Sequence, residues 1–367
     1  MSSRRVLIVG PERSRTGGVS RYMVEQQRHL NGVSTRVYET GPAGVGTARD
    51  LLAGVLLSLV RMAQFPLQSR PDVVHVHTSF GRSFYRNAFY VLFARYVWRR
   101  PVLLHVHGSS FDTFLEPDSQ LVGAFQSTVL RAASRVIVLS EYWESVLGEF
   151  VPEDRITILP NGVPADQYDP QPPPERPHVV FLSNLIERKG VTEFVDAVDT
   201  LLAREEEPGF DVTVAGSGPL ADRVEALADE YEAVTYRGYV DEDEKRRLLA
   251  ASSIYVLPTR AENLPIAILE AMAAGTAVVS TPVGSIPEVI GEENGRLVEP
   301  DDAPALTESL SELLAQPETV RRMGEHNRQL AVGRYSWDAT ARRLEELYAT
   351  VDGSSRGPPI RGGSESV

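Results

Sequence analysis

Two carboxylates flank a proline in Glu262-Asn263-Leu264-Pro265-Ile266-Ala267-Ile268-Leu269-Glu270. Pro265 suits a first helical turn, where its missing N–H would have no intrahelical partner. Glu262 then falls in the preceding loop, and Glu270 one to two turns inside. The first N–H groups of such a helix are unpaired and can bind a diphosphate. A carboxylate on each side can accept hydrogen bonds from sugar and ribose hydroxyls. The neighbours of Glu270 within Ile266–Met272 are apolar, so it should be buried, and a buried carboxylate needs a partner.

A second constellation is Ser183-Asn184-Leu185-Ile186-Glu187-Arg188-Lys189-Gly190, two adjacent cations after a strand signal. Lys189 and Lys245 are the only lysines in a chain that otherwise uses arginine. A lysine kept against that bias suits a point charge for phosphate. Gly216-Ser217-Gly218-Pro219 is a glycine turn that could approach a nucleotide or pack a helix on a strand. Thr16-Gly17-Gly18 separates another strand from its helix, where backbone N–H groups can meet a phosphate. His75, His77, His105 and His107 put four of the seven histidines at two strand ends. His107, beside Gly108, sits where a loop should open. A two-histidine metal site is an alternative there, without an accompanying carboxylate in ligand spacing.

These residues need a scaffold that brings strand ends together. Strand signals occur at Arg4–Gly10, Thr35–Tyr38, Asp72–His77, Val102–His107, Arg135–Ser140 and Arg155–Leu159. They are continuous apolar runs, as in parallel sheets buried on both faces, and helical stretches separate them. Pro170, Pro172, Pro173, Pro174 and Pro177 interrupt the pattern. It restarts at His178–Ser183, Asp211–Ala215, Val234–Tyr236, Ile254–Leu257, Ala277–Ser280 and Arg296–Val298. Two helices are predicted between about 303 and 330, and a last amphipathic one over Trp337–Ala349. The expected organisation is an α/β domain at 1–165, a proline-rich linker at 166–177, a second α/β domain at 178–335, a closing helix at 336–350 and a disordered tail at 351–367.

Composition narrows the chemistry. Without cysteine there are no disulfides, zinc thiolates or thiol nucleophiles. The longest apolar run, Leu51–Val60, is shorter than the roughly 20 residues that span a bilayer. No apolar leader follows Arg4 and Arg5, so a cytoplasmic protein is expected. Residues 1–111 hold fifteen arginines against five carboxylates, a net +10 in a chain whose total is −13, leaving −23 for the remainder. Such separation suggests a basic face meeting something anionic. Arg82–Arg100 combines five arginines with seven aromatic residues. Helical spacing would align Phe89, Phe93 and Tyr96 as an apolar stripe suited to an anionic membrane surface.

In their order these motifs resemble the retaining glycosyltransferases of family 4, of the two-domain GT-B type. The resemblance runs over roughly residues 4–350. It rests on Gly17-Gly18, His107-Gly108, Pro160-Asn161-Gly162-Val163, Lys189-Gly190, Gly216-Ser217-Gly218, and Glu262 through Glu270 with its trailing Ala271-Met272-Ala273-Ala274-Gly275. Pro287-Glu288-Val289, Asn294-Gly295 and Ser336-Trp337 add to it. It implies two facing Rossmann-like domains with the active site in the cleft between them, and a last helix crossing back to the first domain. It implies that Gly18 lies near the donor phosphates, His107 near the transferred sugar and Lys189 on the diphosphate, with Glu262 on the donor sugar and Glu270 on the ribose. Gly17, Asn184, Gly216, Gly218, Asn263, Leu264, Pro265 and Ile266 would line the donor. The family often carries arginine where this chain has Asn184, and Arg188 is the nearest replacement charge. No Asp-x-Asp motif of the metal-dependent type is recognised, so no metal or other cofactor is expected. The donor would be a nucleoside diphosphate sugar, a UDP-sugar first, and the acceptor a glycan or lipid-linked hydroxyl. Nucleic acid is not an expected partner. The alternatives on the same architecture are a nucleotide-sugar epimerase, a glycan phosphorylase and an inactive glycan-binding relative.

Overall fold

The computed structural model describes residues 3–12, 17–41, 48–171, 176–204 and 209–351. Thr16, the prolines 172–174 and the tail from residue 352 lie outside them. The chain divides into two compact units, Met1–Asn161 with Thr340–Val367, and Gly162–Ala339. The division falls four residues before the boundary read from the sequence.

In unit 1 the strands are β1 (Arg5–Gly10), β2 (Ser34–Glu39), β3 (Val73–Thr78), β4 (Val102–Val106), β5 (Arg135–Val138) and β6 (Ile156–Ile158). They form a parallel sheet of order β2-β1-β3-β4-β5-β6. The α-helices are α1 (Gly18–His29), α2 (Ala48–Gln64), α3 (Arg82–Leu92), α4 (Phe111–Phe114), α5 (Gln120–Ala132) and α6 (Glu141–Gly148). The apolar strands are buried on both faces, and two cores result. One packs Val74, Val76, Val102 and Leu104 against Phe84, Tyr90 and Trp98. The other packs Val6, Ile8, Leu103 and Ile137 against Met23.

Unit 2 holds β7 (His178–Leu182), β8 (Asp211–Ala215), β9 (Val234–Tyr236), β10 (Ile254–Leu257), β11 (Ala277–Ser280) and β12 (Gly295–Leu297). Their order is β12-β11-β10-β7-β8-β9, all parallel. Counted from β7, that is the 3-2-1-4-5-6 order of doubly wound dinucleotide-binding sheets. Between and after the strands run α7 (Val191–Leu202), α8 (Ala221–Glu230), α9 (Glu242–Ala250), α10 (Ile266–Ala273), α11 (Ala303–Leu314) and α12 (Pro317–Arg334).

The last helix, α13 (Trp337–Thr350), begins in unit 2, and from Thr340 it belongs to unit 1. There Leu344, Leu347 and Tyr348 complete the second core. Glu345 accepts hydrogen bonds from the N–H groups of Asn31 and Gly32 at 2.8 and 2.6 Å, just beyond the C-terminus of α1.

The stretch Arg82–Arg100 departs from its expected form. Phe84 and Tyr90 are fully buried, and Phe89 and Phe93 pack on the same core. A π-helical turn at Phe93–Val97 then breaks the register. One extra residue per turn rotates the following side chains, so Tyr96 leaves the stripe and stands 62% exposed. Of the expected stripe, Phe89 and Phe93 pack on the core partly buried and only Tyr96 faces solvent. The exposed apolar face of unit 1 lies instead on α2, at Leu52, Val55, Leu56, Leu59 and Val60. Among the described residues no helix is long and apolar enough to cross a membrane.

Leu344 has no solvent exposure. Leu344→Ala should lower the urea stability of unit 1 by about 2–5 kcal/mol, the cost of a buried large-to-small change. The same change at Leu121, which is 84% exposed, should leave the midpoint in place. Equal midpoints for both variants would mean that α13 does not hold unit 1.

Candidate active site

In a doubly wound sheet the crevice opens where strand order reverses, outside the carboxyl ends of the strands. In unit 2 that point lies between β7 and β10, and in unit 1 between β1 and β3. Gly17 and Gly18 follow β1, the Lys189 turn follows β7 and Glu262 follows β10, while the histidines lie in or just after β3 and β4.

After β7 a short turn, Glu187–Lys189, carries the two cations and ends at Gly190 with φ +74°. A Cβ at Gly190 would stand 1.9 Å from the Pro258 carbonyl oxygen, so this turn lies directly against the end of β10. The contact brings the cations to Glu262. The Lys189 ammonium pairs with Glu262 Oε1, and Arg188 Nη1 lies 3.6 Å from the same oxygen and 2.6 Å from the Ala261 carbonyl. The Thr259 hydroxyl donates to the Arg188 carbonyl at 2.9 Å. Glu262 is 9% exposed, a carboxylate held by two cations at the mouth of the sheet. Asn184 is exposed, and Arg188 is the second positive charge beside Lys189.

The loop from Glu262 leads into α10. Pro265 is the residue before the first helical one, one position earlier than its preference suggested. Its ring disfavours helical geometry at Leu264, so the helix begins after it. Ile268 and Leu269 are the first N–H groups that return to Pro265, so the start of α10 is free to meet an anion. Asn263, Leu264 and Pro265 are buried beneath it.

Glu270 is buried at 2% exposure, and its partner is Lys245 on α9, at 2.8 Å. Lys245 also meets Glu242 at 2.7 Å. Sequence reading noted the scarcity of lysine but gave no role to Lys245. The scarcity was the available signal: one lysine is paired with Glu262 in the loop before α10 and the other with Glu270 within it. The Tyr255 hydroxyl, which donates to the Leu182 carbonyl at 3.1 Å, is pushed well above its usual range by burial and by both carboxylates.

Asp241-Glu242-Asp243 does have Asp-x-Asp spacing, which the sequence reading passed over. Asp241 caps α9 by accepting from the Glu244 N–H at 2.8 Å, and Asp243 pairs with Arg246. The motif serves the helix start. Gly216 and Gly218 also have a packing reason: a Cβ at either would collide with the Ser183 or Leu185 carbonyl, at 1.8 and 2.2 Å. A cavity of about 520 Å³ in unit 2 reaches Pro177, Ser253 and Ile254. These lie at the opposite, amino ends of β7 and β10, so it is separate from this site.

In unit 1, Gly17 and Gly18 open α1 beyond the end of β1, exposed and with nothing within 4 Å of a Cβ placed on either. No side chain caps this helix start. On the neighbouring strands His75, His77, His105 and His107 share one face of the sheet as a two-by-two array. His77 Nδ1 lies 2.9 Å from His107 Nε2, and His75 Nε2 lies 3.3 Å from His105 Nδ1. Gln26 and Tyr348 cover the array. Among the described residues His75, His77 and His105 could converge on a cation. The rings bond to one another, to Tyr348 and to Gln26, while His105 Nε2 is buried without a partner. Burial keeps the array neutral: His75 and His107 fall to about 3, and His77 and His105 well below the usual 6.5. Desolvation is the main cause.

The matched families agree with this geometry. Residues 3–162 match the family described as "Glycosyl transferase 4-like domain", and residues 176–316 match "Glycosyl transferases group 1". The chain belongs to this glycosyltransferase family and is a glycosyltransferase of the GT-B type. It is similar to an MMP α-(1→4)-mannosyltransferase of Mycolicibacterium hassiacum, at 29% identity over 68% of this chain and 59% of that protein. It thus spans less than two thirds of that relative's length. It is also similar to a 2-deoxystreptamine N-acetyl-D-glucosaminyltransferase of Streptomyces fradiae, at 29% identity over 85% of this chain and 78% of that one. Among solved structures, Anabaena HepE in complex with UDP has the same fold (TM-score 0.74, 16% identity, 95% and 100% coverage). So does the sucrose-phosphate synthase of Thermosynechococcus elongatus (TM-score 0.73, 19% identity, 94% and 98% coverage).

Two outcomes test this electrostatics. Lys245→Met leaves the Glu270 carboxylate buried without its cation and should cost about 3–5 kcal/mol; the double variant Lys245→Met/Glu270→Leu should recover most of it. A single variant as stable as wild type in urea would remove the pair. For the histidines, the unfolded chain takes up protons near pH 6.5 and the folded chain only near 3 at His75 and His107. The stability they contribute is therefore complete above pH 6.5 and is lost as pH falls from there toward 3. His75→Gln should flatten that acid limb of stability against pH, and an unchanged limb would show that the imidazoles are not its source.

Proposed function

We infer that this chain transfers a sugar, with retention and without a metal, from a nucleoside diphosphate donor to a hydroxyl of a glycan or lipid-linked acceptor. The Lys189–Glu262–Arg188 cluster at the mouth of unit 2 carries the reading. As the sugar departs, negative charge grows on the leaving diphosphate. Lys189, Arg188 and the open start of α10 supply fixed positive charge and N–H dipoles for it, the role a divalent ion would otherwise take. Donor binding redistributes the Lys189–Glu262 pair: the ammonium turns to phosphate, and Glu262 is released to sugar hydroxyls. Glu270, held by Lys245, is placed to accept from the ribose. Gly17 and Gly18 admit phosphate to the start of α1, and His107 meets a sugar hydroxyl. Retention is supported by relatives whose names specify α-products, among them an α-maltose-1-phosphate synthase of Mycobacterium tuberculosis.

The donor in this reading is a UDP-sugar. UDP occupies the HepE structure, whereas a Mycolicibacterium smegmatis relative is named as GDP-mannose-dependent. Screening UDP- and GDP-sugars by thermal shift should find a UDP-sugar that raises the melting temperature by mass action. Stabilisation by a GDP-sugar alone would replace uridine. With that donor, Lys189→Ala should lower kcat by roughly 10²–10³, about 2.7–4 kcal/mol, and Arg188→Ala should lower it less. EDTA should leave the rate unchanged. A wild-type rate in Lys189→Ala would end this assignment.

The reading includes a cytoplasmic enzyme meeting the anionic face of a membrane. Support comes from the net +10 of residues 1–111 and from α2, where Leu52, Val55, Leu56, Leu59 and Val60 recur at i, i+3, i+4, i+7 and i+8 and are all exposed. An interfacial helix binds by apolar burial together with attraction to anionic lipid. Co-sedimentation with phosphatidylglycerol vesicles should fall with salt and be lost in Leu52→Ser/Leu56→Ser/Leu59→Ser. Wild-type protein that ignores anionic vesicles at low ionic strength would exclude the membrane.

A further inference from the structure

A third arginine stands beside the two cations of unit 2. Arg260 lies in the loop after β10, two residues before Glu262. Its backbone N–H donates to the Arg188 carbonyl at 2.8 Å, the oxygen that the Thr259 hydroxyl also reaches. Its guanidinium faces three carboxylates, one from each nitrogen. Nη2 meets Glu193 Oε1 at 2.7 Å, Nε meets Asp301 Oδ1 at 2.5 Å, and Nη1 lies 3.5 Å from Glu187 Oε2. The three come from different elements: Glu193 from α7, Asp301 from the loop between β12 and α11, and Glu187 from the turn that carries Arg188 and Lys189. The contacts are unequal. Glu187 and Asp301 are exposed, where an ion pair contributes little. Glu193 is buried, its Oε2 has no partner, and Arg260 is its only cation among the described residues. A buried carboxylate that loses its cation is costly, so Glu193 fixes where the guanidinium stands.

We propose that Arg260 is a positioning residue for the diphosphate site: held by Glu193, it fastens the Arg188–Lys189 turn and the start of α7 to the loop after β10, and it leaves phosphate to its two neighbours. Three carboxylates against one guanidinium leave a surplus of negative charge, which repels an approaching phosphate. Lys189 and Arg188 sit on a turn of three residues, and a cation stabilises a leaving group best when it need not move as the charge develops. The part in sugar transfer rests on the proposed reading of Lys189 and Arg188 as diphosphate cations; the fastening does not.

The test is amide hydrogen exchange of the full chain, without donor, in Arg260→Met/Glu193→Met. Changing both members avoids the lone buried carboxylate that Arg260→Met by itself would leave. The N–H groups of Lys189 and Gly190, which donate to the Ile186 and Glu187 carbonyls at 2.9 Å, should exchange on the order of tenfold faster, the scale of one hydrogen bond. The Ala274 N–H, which donates to the Glu270 carbonyl at 3.0 Å at the end of α10, should keep its wild-type rate. Unchanged exchange at Lys189 and Gly190 overturns the fastening. So does an equal acceleration at Ala274, which would make the pair a general support of unit 2. If the double variant does not fold, Arg260→Lys answers the same question. It keeps a cation for Glu193, but one ammonium cannot face three carboxylates in different directions, so the same two amides should still exchange faster. With a donor in hand, Arg260→Met/Glu193→Met should lower kcat on the order of tenfold, and by less when it is added to Lys189→Ala. A full additional loss in the Lys189→Ala background would mean that Arg260 acts without the turn, and overturns the proposal. Faster exchange at unchanged kcat would keep the fastening and remove the Lys189 turn from the proposed reaction.

Discussion

A parallel strand cannot turn straight back into its neighbour. Each crossover must return along the sheet, here by a helix, so every strand of a unit delivers its carboxyl end to the same edge. In unit 2 that constraint sets the Lys189 turn after β7 beside the Glu262 loop after β10, although 73 residues separate them. In unit 1 it sets His77 beside His105, 28 residues apart, through the register of β3 on β4. Neither meeting depends on an unusual local conformation. Both follow from strand order, and the glycine at 190 only lets the backbones close to contact.

The edge gathers charge, and charge must be settled before it can be buried. Lys189 and Lys245 each face a carboxylate, and the second pair is nearly inaccessible to water. A buried pair stabilises little by itself, but loss of one member is expensive. Such pairs therefore hold one carboxylate in the loop before α10 and one within it, each against its own lysine. Unit 1 settles its polar groups by another route. Four imidazoles beneath α1 and α13 stay neutral and share protons. Tyr348 reaches them from the far end of the chain, so the closing helix covers an apolar core and finishes a polar network in one step.

Most strands were legible because buried parallel strands are continuous apolar runs, and β8 to β11 begin and end where those runs do. Two helix starts were legible from Gly17-Gly18 and, to within one residue, from Pro265. The alignment of Tyr96 with Phe89 and Phe93 failed because periodicity assumes an unbroken α-helix. The π turn at Phe93–Val97 adds a residue that no spacing rule registers, and it turned Tyr96 to solvent while Phe89 and Phe93 pack on the core. The exposed face passed instead to α2, a segment set aside in the sequence as merely too short to span a bilayer.

The candidate site divides in the same manner. Sequence alone determined the α/β class, the two sheets, the glycosyltransferase resemblance, and the residue types at the strand ends, because these depend on local pattern and on motifs a few residues long. Tertiary structure decided the partners: Lys245 for Glu270, Arg188 and Lys189 together for Glu262, Gln26 and Tyr348 for the histidines. A buried Glu270 announced from its neighbours that it needed a partner, but that the partner is Lys245 depended on α9 packing beside α10. Partnership between side chains distant in sequence is set by strand order and helix packing, and no local pattern encodes it.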